Sequence, residues 1–217
     1  MTIQTFQRAA LSLAIAAGLA APLLAQAQSF KAGDLLVRAR VVNIDTANKD
    51  SIDAADITVS NKTIPEVDFT YFLSPNLAAE LILTYPQKHK ISANIPSLSV
   101  NGEIGSVKHL PPTLTMQYHF TDFGAVKPYL GAGLNYTRFS SVDLPQGTAL
   151  GSLTIDKNSV GLALQAGVDY VIDGKWSLNL DVKKVQIRTD LKSGAAGNLG
   201  KIKIDPLLIG VGVGYKF

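Results

Sequence analysis

The chain contains no cysteine, so disulfides and thiolate metal sites are excluded. Its three histidines, His89, His109 and His119, show no H-x-x-x-H spacing, and neither a G-x-S-x-G turn nor a phosphate-binding glycine loop occurs. Enzyme chemistry therefore has no motif to rest on, and neither a metal nor a cofactor is expected. An excess of charge is missing too: 20 Lys and Arg stand against 17 Asp and Glu. That near balance argues against an electrostatic nucleic-acid binder, despite the basic pI. Beyond residue 27 no stretch approaches the roughly 18 continuous apolar residues of a membrane helix. If the mature protein sits in a membrane it must be a closed barrel, because open sheet edges cannot be left in hydrocarbon.

What is present begins with an export signal. Residues 1–27 carry a single charge, Arg8, then an apolar run from Ala9 to Leu24 and the small-x-small site Ala25-Gln26-Ala27. They read as a Sec-type signal peptide, leaving residues 28–217 as one exported domain.

That domain holds eight segments of period-two alternation: 34–42, 64–72, 77–85, 113–120, 127–137, 159–171, 176–187 and 206–217. The last, PLLIGVGVGYKF, puts Leu207, Ile209, Val211, Val213, Tyr215 and Phe217 on one face, with glycines and Lys216 on the other. In the seventh, Lys184 is read as breaking phase. Tight turns at 73–76, 121–125 and 172–175 alternate with long connections at 43–63, 86–112, 138–158 and 188–206. Short periplasmic turns and long outer loops belong to outer-membrane barrels. The expected fold is all-β: an eight-stranded antiparallel transmembrane β-barrel with an up-and-down meander. Aromatic girdles fit the same orientation. Tyr71, Phe72, Tyr118, Phe120, Phe123, Tyr170, Trp176, Tyr215 and Phe217 gather at the short-turn end, and Tyr85, Tyr136 and Phe139 at the other. Tyr215 and the terminal Phe217 are read as an assembly signal for the machinery that inserts barrels.

The inward faces carry Arg38, Arg40, Lys183 and Lys216 against Glu66, Asp68, Glu80, Asp169 and Asp181. Two readings are open, a self-paired polar plug and an ion-selective pore. The balance of signs and the narrow bore of eight strands favour the plug. Inward glycines at 131, 133, 161, 167, 210, 212 and 214 make room for long side chains from the opposite wall. His119, inward beside Thr115 and Gln117, reads as a hydrogen-bonded lumen residue. The second long loop is unexpectedly apolar. Ile95, Leu98, Ile104 and Leu110 either extend the wall above the membrane or form an apolar channel. Pro111-Pro112 then removes two backbone donors, so pairing with the third or fifth segment is expected to fail there and leave a lateral gap.

The stretches LLVRARVVNID (35–45), LAAELILTYPQKHKI (77–91), GSVKHLPPTLTMQYHF (105–120), PYLGAGLNYTRF (128–139), LNLDVKKVQI (178–187) and the terminal GVGYKF resemble the OmpW family of small barrels, which includes the AlkL-type alkane-uptake proteins. The resemblance implies a bacterial outer-membrane barrel whose hydrophobic upper channel is shut off from the periplasm by polar residues and opens sideways into the membrane. Small hydrophobic solutes, outer-membrane lipid and lipopolysaccharide are its implied partners, and passive uptake its implied function. A structural or surface-receptor barrel without flux, such as a bacteriocin receptor, is the alternative. A lipid-modifying barrel would need a Ser/His pair that the chain does not display. Oligomeric state is not encoded in any of these features.

Overall fold

The computed structural model describes residues 30–46, 49–50, 56–95, 100–143, 152–194 and 197–217. In chain order its strands are β1 (Leu35–Asp45), β2 (Lys49–Asp50), β3 (Asp56–Val59), β4 (Lys62–Phe72), β5 (Leu77–Leu83), β6 (Gln87–Ile95), β7 (Val100–Leu110), β8 (Thr113–His119), β9 (Val126–Asp143), β10 (Leu153–Ile155), β11 (Asn158–Val171), β12 (Trp176–Val185), β13 (Arg188–Ser193), β14 (Gly197–Lys203) and β15 (Leu207–Lys216). Eight of them, β1, β4, β5, β8, β9, β11, β12 and β15, pair antiparallel in a ring that closes through β9–β11 and β1–β15. Closure leaves the ring itself without an edge strand, as hydrocarbon demands. The predicted segment pattern and the three tight turns match this wall. The expected barrel is the observed fold.

Alternation sets what each face meets. Leu114, Leu130, Leu134, Leu162, Leu164 and Val211 are all more than half exposed on the outside. A continuous apolar belt of this kind would drive aggregation in water but is solvated by lipid. Tyr71, Tyr118, Tyr170 and Trp176, all exposed, and the half-buried Tyr215 rim its lower edge, and the exposed Tyr85 and Tyr136 its upper edge. Two expected girdle residues turn inward instead, because they fall on the inner parity of their strands. Phe72 is buried against Phe30 at 4.1 Å, and Phe139 joins the apolar core of the upper end. Lys184 does not break phase: it continues the outward alternation of β12, and its Nζ donates to the Asp205 carbonyl.

Above the belt the wall continues. The β6–β7 hairpin attaches to the upper part of β9, and β3 attaches to β6. A second sheet, β10-β13-β14-β2, stands beside it. Their inner sides share one cluster that includes Val59, Ile91, Val107, Phe139, Ile155 and Leu191. The apolar second loop thus extends the wall.

Candidate functional site

Inside the barrel the wall strands present charge at mid-height. Register makes the encounters: Arg38 stands opposite Asp68 and Arg40 opposite Glu66 on β4, while their neighbours on β15 are Gly214 and Gly212. With no side chain on that flank, both guanidiniums can reach across the lumen. Arg38 donates from Nε to Asp68 at 2.9 Å, from Nη1 to Asp169 at 3.0 Å and from Nη2 to Glu80 at 2.8 Å. Arg40 reaches Glu66 at 2.9 Å, Asp68 at 2.7 Å and Glu80 at 3.0 Å. Lys183 joins at 2.5 Å from Glu66 and 3.2 Å from Asp181. Neutral groups complete the network: the Tyr129 hydroxyl and the Gln165 amide each donate to Asp181 at 2.7 Å. The Tyr129 ring lies where a Cβ on Gly167 would stand, 2.4 Å from its nearest atoms, so that inward glycine is required.

All seven predicted plug residues, Arg38, Arg40, Glu66, Asp68, Glu80, Asp181 and Lys183, are therefore gathered in one buried network. Lys216 stands apart at the lower rim, 3.5 Å from Asp34. Charges of both signs are interleaved at this level, so no single sign lines the lumen there. Beneath them lies an aromatic stack that the alternation did not reveal. Phe30, from the segment before β1, packs on Phe72 and meets the edge of His119 at 5.4 Å, and His119 stacks on Tyr129 at 5.0 Å. His119 also bonds Gln117 at 2.9 Å, as a lumen histidine should.

Above the plug the inner faces change character. Ile44 on β1, Ile64 on β4, Ile82 on β5, Val185 on β12, Ile187 and Ile204 line an apolar cavity whose floor is Glu66 and Lys183. The open space is about 40 Å³, well under the roughly 150 Å³ of an apolar cavity that holds a benzene. A solute of several carbons must widen it. Of the four residues expected to form the channel, Leu110 faces outward and is 38% exposed, which corrects its assignment. It lies on the outer parity of β7. Ile95 and Ile104 lie on the β6–β7 hairpin, and Leu98 lies outside the described residues. The lining instead comes from inward positions at the upper ends of the wall strands. The signal for it is legible: the inner faces of β1, β4, β5 and β12 pass upward from charged to aliphatic, as Arg38, Arg40, Val42, Ile44 shows.

Pro111 does line the cavity. The last β5–β8 pair is Ile82 with Thr113, and the first β6–β7 pair is Gln87 with His109. Between them residues 83–86 and 110–112 form no ladder with each other. Pro86, Pro111 and Pro112 supply no backbone N–H in that stretch. On the other flank the wall holds, because Leu110 pairs with Arg138 and the Tyr136 amide donates to the Pro112 carbonyl at 3.0 Å. Of the two pairings expected to fail, the interrupted one is thus that with the third segment.

Two imidazoles border the same cavity. His89 contacts the Ser60 carbonyl through Nδ1 at 2.7 Å and stacks on His109 with centroids 4.9 Å apart. Both lie above the Tyr85 and Tyr136 girdle, and burial holds both below the usual imidazole pKa, His109 down to about 3.

Comparison with known proteins agrees with this architecture. An outer-membrane protein of Sinorhizobium fredii, y4mB, is 45% identical over 94% of this chain and 90% of its own length. The dibenzothiophene metabolism operon protein PahQ of Pseudomonas aeruginosa is 27% identical, covering 78% of this chain and 79% of that protein. Among solved structures, the outer-membrane protein OprG of Pseudomonas aeruginosa superposes with a TM-score of 0.72 at 28% identity, over 87% of this chain and 98% of OprG. The OmpW family model matches residues 31–217. The chain belongs to the OmpW family of bacterial outer-membrane barrels.

Proposed function

We propose that the barrel admits small hydrophobic molecules from outside into the upper cavity and releases them sideways into the membrane. One observation carries this reading: an apolar cavity sits on a charged, self-paired floor and borders the one stretch of β5–β8 wall where the ladder lapses. Moving down would make an apolar solute displace hydrogen bonds it cannot replace. Moving sideways into lipid costs it no favourable contact. The relative PahQ, named for an operon that metabolises an apolar heterocycle, supports a solute of this class.

Outward-facing Lys88, Lys108 and Arg138 stand just above the apolar belt, where they can meet lipopolysaccharide phosphates. Tyr215 and Phe217 pack edge to face at the lower rim and suit recognition by the barrel-assembly machinery. The test is uptake of an apolar solute by cells with an intact lipopolysaccharide layer, with and without the barrel. Faster uptake with the barrel supports the proposal. Equal rates would leave a structural or receptor role.

A further inference from the structure

Three buried polar atoms without hydrogen-bond partners among the described residues crowd one place on the inner wall above the plug. Gln87 and His109 are cross-strand partners, and His89 follows Gln87 on the same inward face of β6. The Gln87 amide nitrogen donates to the Tyr85 carbonyl at 2.7 Å and to the Thr84 hydroxyl at 3.2 Å, which leaves Oε1 as its unpaired end. At His89 the chemistry is more definite. Nδ1 meets a carbonyl, which can only accept, so Nδ1 carries the proton and Nε2 is a bare acceptor. Among the described residues that Nε2 has no partner, and neither has His109 Nδ1. Both rings line the apolar cavity and are at most 4% exposed.

Buried acceptors left unpaired are costly, and a ligand that supplies a donor recovers that cost. We propose that the cavity selects, among small apolar molecules, those bearing one hydroxyl donor, an alcohol or a phenol, and that His89 Nε2 accepts the hydroxyl hydrogen. This rests on the cavity being the solute path. A hydrocarbon would leave the acceptors unpaired, and a carboxylate would bring only further acceptors and a charge to bury. Because burial keeps both rings neutral, their lone pairs are available at neutral pH. The neighbouring Lys62 ammonium is engaged with the Lys88 carbonyl at 3.3 Å.

A matched solute pair tests this: 1-naphthol and its methyl ether, 1-methoxynaphthalene, which keeps the ring but loses the donor. Barrel-dependent uptake by cells with intact lipopolysaccharide should favour the naphthol by roughly tenfold, the scale of one hydrogen bond to an otherwise unpaired acceptor. His89→Phe keeps an aromatic ring but removes the acceptor, and it should bring the naphthol-to-ether ratio to about one. His89→Gln, which retains an acceptor, should restore part of the preference. If the phenylalanine variant does not fold, judged by heat-dependent electrophoretic mobility, the wild-type ratio alone decides. Equal barrel-dependent uptake of the two solutes would overturn the donor preference and leave the cavity path standing. No barrel-dependent uptake of either would overturn both.

Discussion

Arg40 shows how much one side chain can hold. It lies within 3.0 Å of three carboxylates on β4 and β5 and 3.7 Å from a fourth, Asp181 on β12, at a site 2% exposed. Arg40→Ala leaves Glu66, Asp68 and Glu80 short of a cation. Breaking a buried pair by deleting one partner costs about 3 to 5 kcal/mol, so the variant should unfold at distinctly lower urea in lipid vesicles. It should also raise ion leak across a planar bilayer. Large selective conductance in the wild type would contradict the plug. His109 carries a second residue-scale prediction. Burial first, then His89 and Lys62, lower its pKa to about 3 from 6.5. Between those values the unfolded chain binds a proton that the folded chain does not. The stability from this neutral ring is therefore full above about pH 6.5 and falls as pH drops toward 3. Protection factors in β6 and β7, taken relative to the intrinsic exchange rate at each pH, should fall between pH 7 and 4, and His109→Phe should reduce that dependence to the share of His89.

At the scale of elements, the wall was legible because each strand buries one face, and period-two alternation is the direct trace of that burial. Alternation places Phe72 and Phe139 inside as plainly as Arg38, and sorting aromatics by height alone misassigned both. The hairpin β6–β7 was less legible. Its strands mix glycine, lysine and isoleucine, and the pairing of Gln87 with His109 is set by the wall it continues. The cavity was readable in the switch from Arg40 to Val42 and Ile44, and from Glu80 to Ile82. Phe30 was not, since a single aromatic ahead of the first strand has no period. Pro111 and Pro112 give this scale its test. Replacing both with valine restores two donors beside residues 83–86, which should extend the β5–β8 ladder and slow solute uptake without lowering folded yield. Wild-type uptake in a double variant whose added pairing is demonstrated by amide exchange would rule out exit at this gap.

For the whole molecule, three layers follow one another along the barrel axis: an aromatic stopper, a charged network and an aliphatic cavity. Only the topmost is compatible with an apolar guest, and the belt outside it is already lipid-facing. Assembly belongs to this scale as well. Deleting Phe217, which touches neither plug nor cavity, should reduce the amount of barrel reaching the outer membrane, as quantified by membrane fractionation. The central claim, that apolar solutes occupy the upper cavity and go no lower, is tested most directly by NMR of the barrel in lipid with a spin-labelled apolar solute. The methyl groups of Ile44, Ile64 and Ile82 should broaden, while Phe72 below the charged network and Tyr129 at its foot keep their line widths. Broadening of Tyr129 and Phe72 equal to that of the isoleucines would contradict the account and indicate a straight passage through the barrel.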